Sequence, residues 1–418
     1  MNRNIATQVI ESLRSGIPPI RGVKAYSVGN DKLLEGIKKF HLSSIREKGT
    51  IRFISGSWGS GKTHFFRLLR EAAFEGNCLV SNVQLNADDA ALNKFERVFY
   101  SIIRNIATPS YLEEQASSEI APFGQVLKES LAFLSKGHKS METGFSYEDF
   151  VIAREALMID RSIDIDFRKM IEKYWETFLP ESSDRAIQEQ IRAEILQWFS
   201  GEGSKSSYSK RFGVNKIVSK DNAKLMLQSL AGFVKLAGYQ GLVILFDEAE
   251  QAYSIMRKSS LKDAHNNLLS LINNIEDLSG LFLIYATTPD FFNDPKHGIS
   301  IYGALSGRIG KPQPWQPKAL DKIWNFDEVV ISQDDYQAAA SKIRQVYALA
   351  YPEAELPSSQ EVKSFVEDLL PEYSEYAEVR FWRVMVTALV TYFDRHQEGE
   401  ESTAEEIYVS IMDRLREE

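Results

Sequence analysis

Residues 56–63, with the sequence GSWGSGKT, could bind a phosphate chain, because they fit the pattern G-x-x-x-x-G-K-[ST]. Glycines let backbone N–H groups curve around a phosphate, and a following helix adds the partial positive charge of its N-terminus. We expect Lys62 to reach the β- and γ-phosphates of ATP and Thr63 to hold Mg²⁺ through its hydroxyl. The predicted nucleotide-binding residues here are Gly56, Ser57, Trp58, Gly59, Ser60, Gly61, Lys62, Thr63 and His64.

A second segment, LVILFDEAEQ (242–251), places two adjacent carboxylates after an apolar run. The carboxyl edge of a parallel sheet is where ligands bind, so Asp247 is predicted to contact nucleotide-bound Mg²⁺. Glu248 is predicted to polarise the attacking water, and Glu250 is a weaker candidate for that role. The alternative is a strand that ends in a solvated acidic cap.

Further candidates follow the next apolar run, LFLIYATTPDFF (281–292). Thr287 and Thr288 end that run, where a hydroxyl could orient water or touch the γ-phosphate; the alternative is two threonines that simply end a strand. Arg308 is a candidate arginine finger for a neighbouring subunit. Arg380 is a candidate nucleotide contact from the tail, and Arg383 competes with it for that role. Surface arginines or salt-bridge partners are the alternatives for these positions.

The elements needed to position these residues are strands that alternate with helices. Apolar or β-branched runs predict strands at 50–55, 78–85, 241–248, 280–288 and 327–332. Continuous apolar runs fit buried parallel strands better than half-exposed antiparallel ones. The predicted fold class is α/β, with a parallel five-stranded P-loop sheet flanked by helices.

Long helical patterns outside the sheet predict additional domains. The core is expected in two parts, residues 1–108 and 219–333, with a helical insertion at 109–218 between them. The Gly/Ser-rich stretch 201–213 is interpreted as a hinge that leads back to the core. Residues 334–418 are predicted to form a C-terminal α-helical lid domain.

Composition narrows the class of protein and its partners. The chain has 418 residues, a net charge of −9 and one cysteine, Cys78, so an intrachain disulfide and a cysteine zinc cluster are excluded. No apolar run of about 18 residues is present, the N-terminus lacks a signal-peptide pattern, and a cytoplasmic protein without a membrane partner is predicted. The acidic charge argues against nucleic-acid binding over the whole surface. KSSYSKRFG (205–213) gives a weak signal for contact with DNA, and the hinge interpretation is favoured.

At these motifs the chain resembles the ATP-binding proteins of bacterial BREX-type phage-defence systems, which are AAA+-like P-loop ATPases. The resemblance covers most of residues 5–110 and 220–395 and is weak across the insertion. It implies the nucleotide, Mg²⁺, sensing and finger roles given above, and also that the segment from Gly16 to Asn30 wraps the adenine. Trp58 departs from the pattern as a bulky residue in the loop, where it could pack in the core or shield the nucleotide. The segments that carry the resemblance are VIESLRSGIPPIRGV (9–23), SGSWGSGKTHFFRLLR (55–70), GYQGLVILFDEAE (238–250) and YATTPDFFNDPKHGISIYGALSGRI (285–309).

Two functional hypotheses follow. The first is an oligomeric ATPase of an anti-phage system that couples hydrolysis to remodelling or loading of DNA or partner defence proteins. The second is a nucleotide-dependent switch or scaffold that assembles a defence complex with little turnover. Both require Lys62, whereas only the first requires Glu248 and a competent arginine.

Overall fold

The computed structural model describes seven stretches of the chain: residues 1–86, 90–112, 123–135, 144–179, 184–249, 257–373 and 381–417. Two sequence candidates, Glu250 and Arg380, lie outside the described residues. Within the described stretches, no helix combines the length and apolar character needed to cross a membrane.

A six-stranded sheet lies at the centre, in the order β3-β2-β4-β5-β1-β6. Five strands run parallel, and only the two-residue β3 pairs antiparallel, at the β2 edge. β5 lies between β1 and β4, with Ser55 beside Thr287 and Phe246 beside Tyr285. The strands are β1 (Thr50–Ser55), β2 (Leu79–Gln84), β3 (Ile106–Ala107), β4 (Leu242–Asp247), β5 (Leu281–Thr287) and β6 (Ile323–Asn325).

The number of strands and the position of the last one differ from the prediction. The predicted strand at 327–332 is wrong: β6 ends at Asn325, and residues 326–328 form a 3₁₀ turn. The Asn325 side chain accepts a hydrogen bond from the Asp327 amide (3.2 Å), which is the Asx-type contact that turns a chain out of a strand. The β-branched run after it has no strand partner, and Val330 is 69% exposed. β-Branched composition alone therefore misplaced this strand.

Helices cover both faces of the sheet. Alternate residues of each buried strand point to opposite faces, so Phe53 joins one apolar core and Ile54 the other. The helices are α1 (Arg3–Arg14), α2 (Asp31–Ile37), α3 (Lys62–Glu75), α4 (Phe95–Arg104), α5 (Phe123–Leu134), α6 (Tyr147–Ile159), α7 (Ile165–Glu176), α8 (Arg185–Phe199), α9 (Lys205–Phe212), α10 (Ala223–Leu236), α11 (Lys258–Asn274), α12 (Asp290–Asn293), α13 (Gly303–Ile309), α14 (Gln333–Ala350), α15 (Ser359–Tyr373), α16 (Phe381–Gln397) and α17 (Ala404–Glu417).

Helices α5 to α9 supply buried side chains to the same core as α4, α10 and α11. Part of the predicted hinge at 201–213 is α9, so the hinge interpretation is wrong for Lys205–Phe212. The buried rings of Tyr208 and Phe212 stack on each other with centroids 6.3 Å apart. Glycine and serine content suggested a flexible stretch, but these two apolar residues at i and i+4 fix a helix face. The two rings are therefore not presented to solvent, where they could stack on nucleic-acid bases.

The apolar core on the other face of the sheet contains buried side chains from α1, α2 and α3 and from the C-terminal helices α14 to α17. Helix α1 packs against α14 and α16, and Arg14 donates two hydrogen bonds to Asp394 at 2.7 and 2.9 Å. Tyr347 donates to the same carboxylate at 2.7 Å. The chain therefore starts among the C-terminal helices and reaches the sheet through the segment that follows α1.

Candidate functional site

The glycine loop, residues 56–61, joins β1 to α3. Gly59 and Gly61 have φ values of 76° and 90°, in the left-handed region that favours glycine. A Cβ on Gly56 would lie 2.3 Å from the Ser60 hydroxyl and 3.0 Å from Phe326 Cβ, so no larger residue fits there. The sequence prediction of a strand, a close backbone turn and a helix is confirmed at this place.

Lys62 opens α3 and points back over the loop. Its ammonium donates to the carbonyl oxygens of Gly56 (2.6 Å) and Ser57 (3.1 Å). The Trp58 ring centroid is 5.9 Å from the same nitrogen, and this side chain is 66% exposed. Trp58 therefore does not pack in the core, which was one of the two alternatives for it.

The carboxylates at the end of β4 face the start of α3. Thr63 Oγ1 donates to Asp247 Oδ2 at 3.4 Å, and the Glu248 amide donates to Asp247 Oδ1 at 3.0 Å. Burial raises the pKa of Asp247, against the lowering effects of the Glu248 amide and of Lys62. The hydroxyl and carboxylate are hard oxygen donors of the kind that Mg²⁺ prefers, so this pair fits that ion.

Glu248 has an unusual backbone conformation. Its φ is 54°, in the left-handed region that non-glycine residues rarely adopt. Such conformations cost about 1–3 kcal/mol and are concentrated at functional sites. Its turn follows β4 directly, beside the Asp247 carboxylate.

The two threonines at the end of β5 lie beside the glycine loop. The carbonyl oxygen of Thr287 accepts a hydrogen bond from the Gly56 amide at 3.1 Å. Both threonine side chains are buried, and Thr287 Oγ1 has no hydrogen-bond partner within the described stretches.

The segment between α1 and α2 is held against α3 through a buried carboxylate. Glu71 accepts hydrogen bonds from the backbone amides of Gly22 (2.6 Å), Val23 (3.1 Å) and Lys24 (3.3 Å). Charge-assisted bonds to backbone amides are among the stronger ones, and three of them fix the path of this segment.

His64 forms a second link to that segment. Its Nδ1 is 3.3 Å from the Tyr26 hydroxyl and its Nε2 is 3.0 Å from the Ser27 hydroxyl. Burial lowers the pKa of His64 to about 4, so the ring is neutral at physiological pH. The structure therefore places this predicted nucleotide contact between the loop helix and the segment at 16–30.

Two adjoining clefts open beside the glycine loop. The loop cleft, about 480 Å³, is lined by Gly59–Thr63, Asp247 and Glu248, with Gly16–Pro18 across from them. The aromatic cleft, about 240 Å³, is lined on its apolar side by Val28, Phe326, Val329, Ile331, Tyr336 and Trp382. Trp382 lines both clefts, and Arg383 lines the loop cleft.

Sequence reasoning missed Asp327, which holds the start of the glycine loop. Its carboxylate accepts from the Ser57 amide (3.0 and 3.1 Å) and from the Ser57 hydroxyl (3.0 Å). The available signal was the Asn-x-Asp pattern at 325–327, which is typical of a turn, but the following β-branched run led to a strand prediction.

Arg308 is not brought to the site of its own chain. It lies exposed in α13 and lines neither cleft. Its backbone carbonyl accepts a hydrogen bond from Lys322. Within the described stretches, the Arg308 side chain makes no hydrogen bond or ion pair with a residue of the glycine loop.

The fold and the clefts define an α/β protein with a glycine loop that faces a carboxylate-bearing strand end. The family model described as BREX system ATP-binding protein BrxC/D matches residues 1–411, and the chain belongs to this family. The match includes the helical insertion, where the sequence resemblance was weak. Comparisons with curated proteins and with solved structures gave no match.

Proposed function

We propose that the chain hydrolyses ATP at the loop cleft. The observation that carries this proposal is the juxtaposition of Lys62 and Thr63 with Asp247 and Glu248 across one cleft. Family membership supports ATP as the ligand. ATP binding alone would need only the glycine loop and Lys62. Glu248 adopts a left-handed backbone conformation at the end of β4, and such strain at a carboxylate supports a role in hydrolysis after ATP has bound.

In this proposal the loop amides and Lys62 hold the phosphates. Thr63 and Asp247 would hold Mg²⁺, which would neutralise charge on the phosphates. Glu248 accepts a proton from the attacking water as its oxygen bonds to the γ-phosphorus. The bond from that phosphorus to the bridging oxygen breaks, and ADP keeps the electron pair. Thr287, whose carbonyl accepts from the Gly56 amide, is the proposed sensor beside the loop, although its side chain is buried and does not line the loop cleft.

The aromatic cleft is the proposed site for the adenine. It adjoins the loop at Gly59–Gly61, and its walls are apolar and aromatic, as stacking on a base requires. The bonds from Glu71 and His64 hold the segment at 16–30 against this region. They support the expectation that this segment encloses the adenine.

Sheet order and Arg308 support an AAA+-like assembly. The parallel strands lie in the order β6-β1-β5-β4-β2, which places β5 between the strand that leads into the glycine loop and the strand that ends at Asp247. Arg308 is exposed and does not line its own loop cleft, so we propose that it reaches the site of a second copy of the chain. The oligomer would couple turnover to remodelling or loading of DNA or of partner defence proteins.

A glutamine variant tests the hydrolysis proposal. Glu248→Gln keeps size and hydrogen bonding but removes the charge that accepts the proton. Turnover should fall on the order of a hundredfold while ATP affinity persists. Steady-state phosphate release and titration with a fluorescent ATP analogue measure the two quantities. Glu189→Gln on exposed α8 is the matched control, and equal turnover in both variants would contradict the assigned role.

Mixing two inactive chains tests the arginine. Arg308→Ala and Lys62→Ala should each lack activity, and their mixture should recover part of it, since some interfaces pair an intact loop with an intact arginine. Arg185→Ala on exposed α8 is the control. Full activity of Arg308→Ala alone would remove the residue from the mechanism.

A further inference from the structure

A third cleft shares Thr63 and Asp247 with the loop cleft but is not lined by residues 16–18. It occupies about 610 Å³ between α3 and the edge of the sheet formed by β2 and β3. Thr63 and Asp247 line both this cleft and the loop cleft, so they form a shared wall. We call it the arginine cleft, after Arg67, Arg70 and Arg104, which line it.

The charge of this cleft is positive. Three guanidinium groups line it, and Asp247 is the one carboxylate among its described lining residues. Buried Arg70 donates to the Ile20 carbonyl. Arg104 donates to the Ser200 carbonyl at 3.1 Å, and its Nη2 lies 3.6 Å from Glu202. These contacts hold Arg70 and Arg104 in place, and every guanidinium carries five N–H donors in total.

The remaining polar lining consists of neutral groups. Asn82 and Gln84 of β2 add amides that can donate hydrogen bonds, whereas the Asn105 amide already donates to Ser101. Guanidinium groups beside amide donors match the oxygens of a phosphate, which arginine binds through two parallel hydrogen bonds. A cleft with this lining selects an anion.

We propose that the arginine cleft binds inorganic phosphate after it leaves the γ position, outside the nucleotide site. This inference rests on the proposed hydrolysis. In this proposal ADP still fills the loop cleft when phosphate is released near Thr63. The phosphate therefore moves into the arginine cleft, which Thr63 also lines. Arg67 stands on α3 one turn beyond Thr63, so it is the first of the three on this route.

Phosphorus NMR titration of inorganic phosphate into protein saturated with ADP and Mg²⁺ tests the inference. Wild-type protein should bind phosphate, and Arg67→Gln should weaken this binding about tenfold or more, as expected for a lost charge-assisted bond. Arg104→Gln should also weaken phosphate binding. Because Arg104 is half exposed, this variant provides the test if Arg67→Gln does not fold. Arg185→Gln should leave it unchanged, since Arg185 lies on exposed α8.

Several results would overturn the inference. The first is the absence of phosphate binding by the ADP-bound wild type. The second is binding by both cleft variants that equals binding by the wild type. The third is loss of binding in Lys62→Ala, which would place the phosphate at the glycine loop. A single-stranded oligonucleotide that bound through Arg67 where inorganic phosphate did not would assign the cleft to nucleic acid instead. The titration needs no turnover, so its failure is distinct from a failure of the proposed hydrolysis.

Discussion

The loop cleft and the aromatic cleft adjoin each other but are built in different ways. The loop cleft takes its main wall from one continuous stretch, Gly59–Thr63, and from the end of β4. The aromatic cleft collects side chains from positions distant in the chain, from Val28 through Phe326 to Trp382. One is formed largely by backbone and charge, and the other by apolar side chains brought together by the fold.

This difference separates two tasks. In the proposed function, groups at the loop cleft act on the phosphates, where charge changes during hydrolysis, so changes there should affect binding and turnover. In the same proposal, groups at the aromatic cleft contact the adenine, which does not react. Changes there should affect binding equally in the ground state and the transition state, and so raise KM without lowering kcat.

The largest expected effect on affinity is at Lys62. Lys62→Ala removes the cation that faces the phosphates, so ATP affinity should fall by an order of magnitude or more while the fold persists. Titration with a fluorescent ATP analogue, with Lys32→Ala on exposed α2 as control, measures this. Unchanged affinity in a folded variant would remove the assignment of the glycine loop to phosphate.

A smaller effect is expected at Trp382, which contacts the edge of both clefts. Its ring centroid lies 5.9 Å from that of Tyr336 and 6.3 Å from that of His64. Base stacking contributes about 1–3 kcal/mol, so Trp382→Ala should raise KM for ATP about tenfold with kcat retained at saturation. Trp315→Ala, at an exposed ring outside both clefts, is the control. A fall in kcat with KM unchanged would break the proposed separation of tasks.

The smallest effect is expected at Asp327, which holds the start of the glycine loop through Ser57. Asp327→Ala frees the Ser57 amide and hydroxyl, so the loop is less well ordered before binding and ATP affinity should fall a few-fold. Asp327→Asn keeps a hydrogen-bond acceptor, so its ATP affinity should lie between that of the wild type and that of Asp327→Ala. Glu328→Ala controls for a change in the same turn. Equal affinities for all four proteins would show that this contact does not position the loop.

Local patterns predicted the two main parts of the loop cleft because each part is a short continuous motif, although the two motifs lie far apart in the chain. The glycine loop, the helix that starts at Lys62 and the end of β4 at Asp247 agree with their predicted positions. The contacts of Asp327 with Ser57 and of Glu71 with the segment at 22–24 could not be predicted, since each joins residues far apart in the chain. Asp327 was also hidden by a β-branched run, because strand propensity depends on a partner strand that composition does not reveal.

Helix α9 shows the same limit of prediction from composition. Glycine and serine predicted a hinge, whereas burial of Tyr208 and Phe212 against distant elements stabilises a helix. Fold class and the phosphate-facing residues follow from local sequence. Tertiary packing determines which side chains close the aromatic cleft.

Single-turnover hydrolysis by the wild-type chain tests the central claim most directly. The protein is mixed in excess over γ-labelled ATP, with Lys62→Ala as the control without binding. Labelled phosphate should be released when Mg²⁺ is present, and the label should remain in ATP when the metal is chelated. This result is expected if Asp247 and Thr63 hold the metal and Glu248 activates water. ATP that stays bound and is recovered intact with Mg²⁺, DNA and protein at high concentration would contradict the ATPase account and favour a nucleotide-dependent switch.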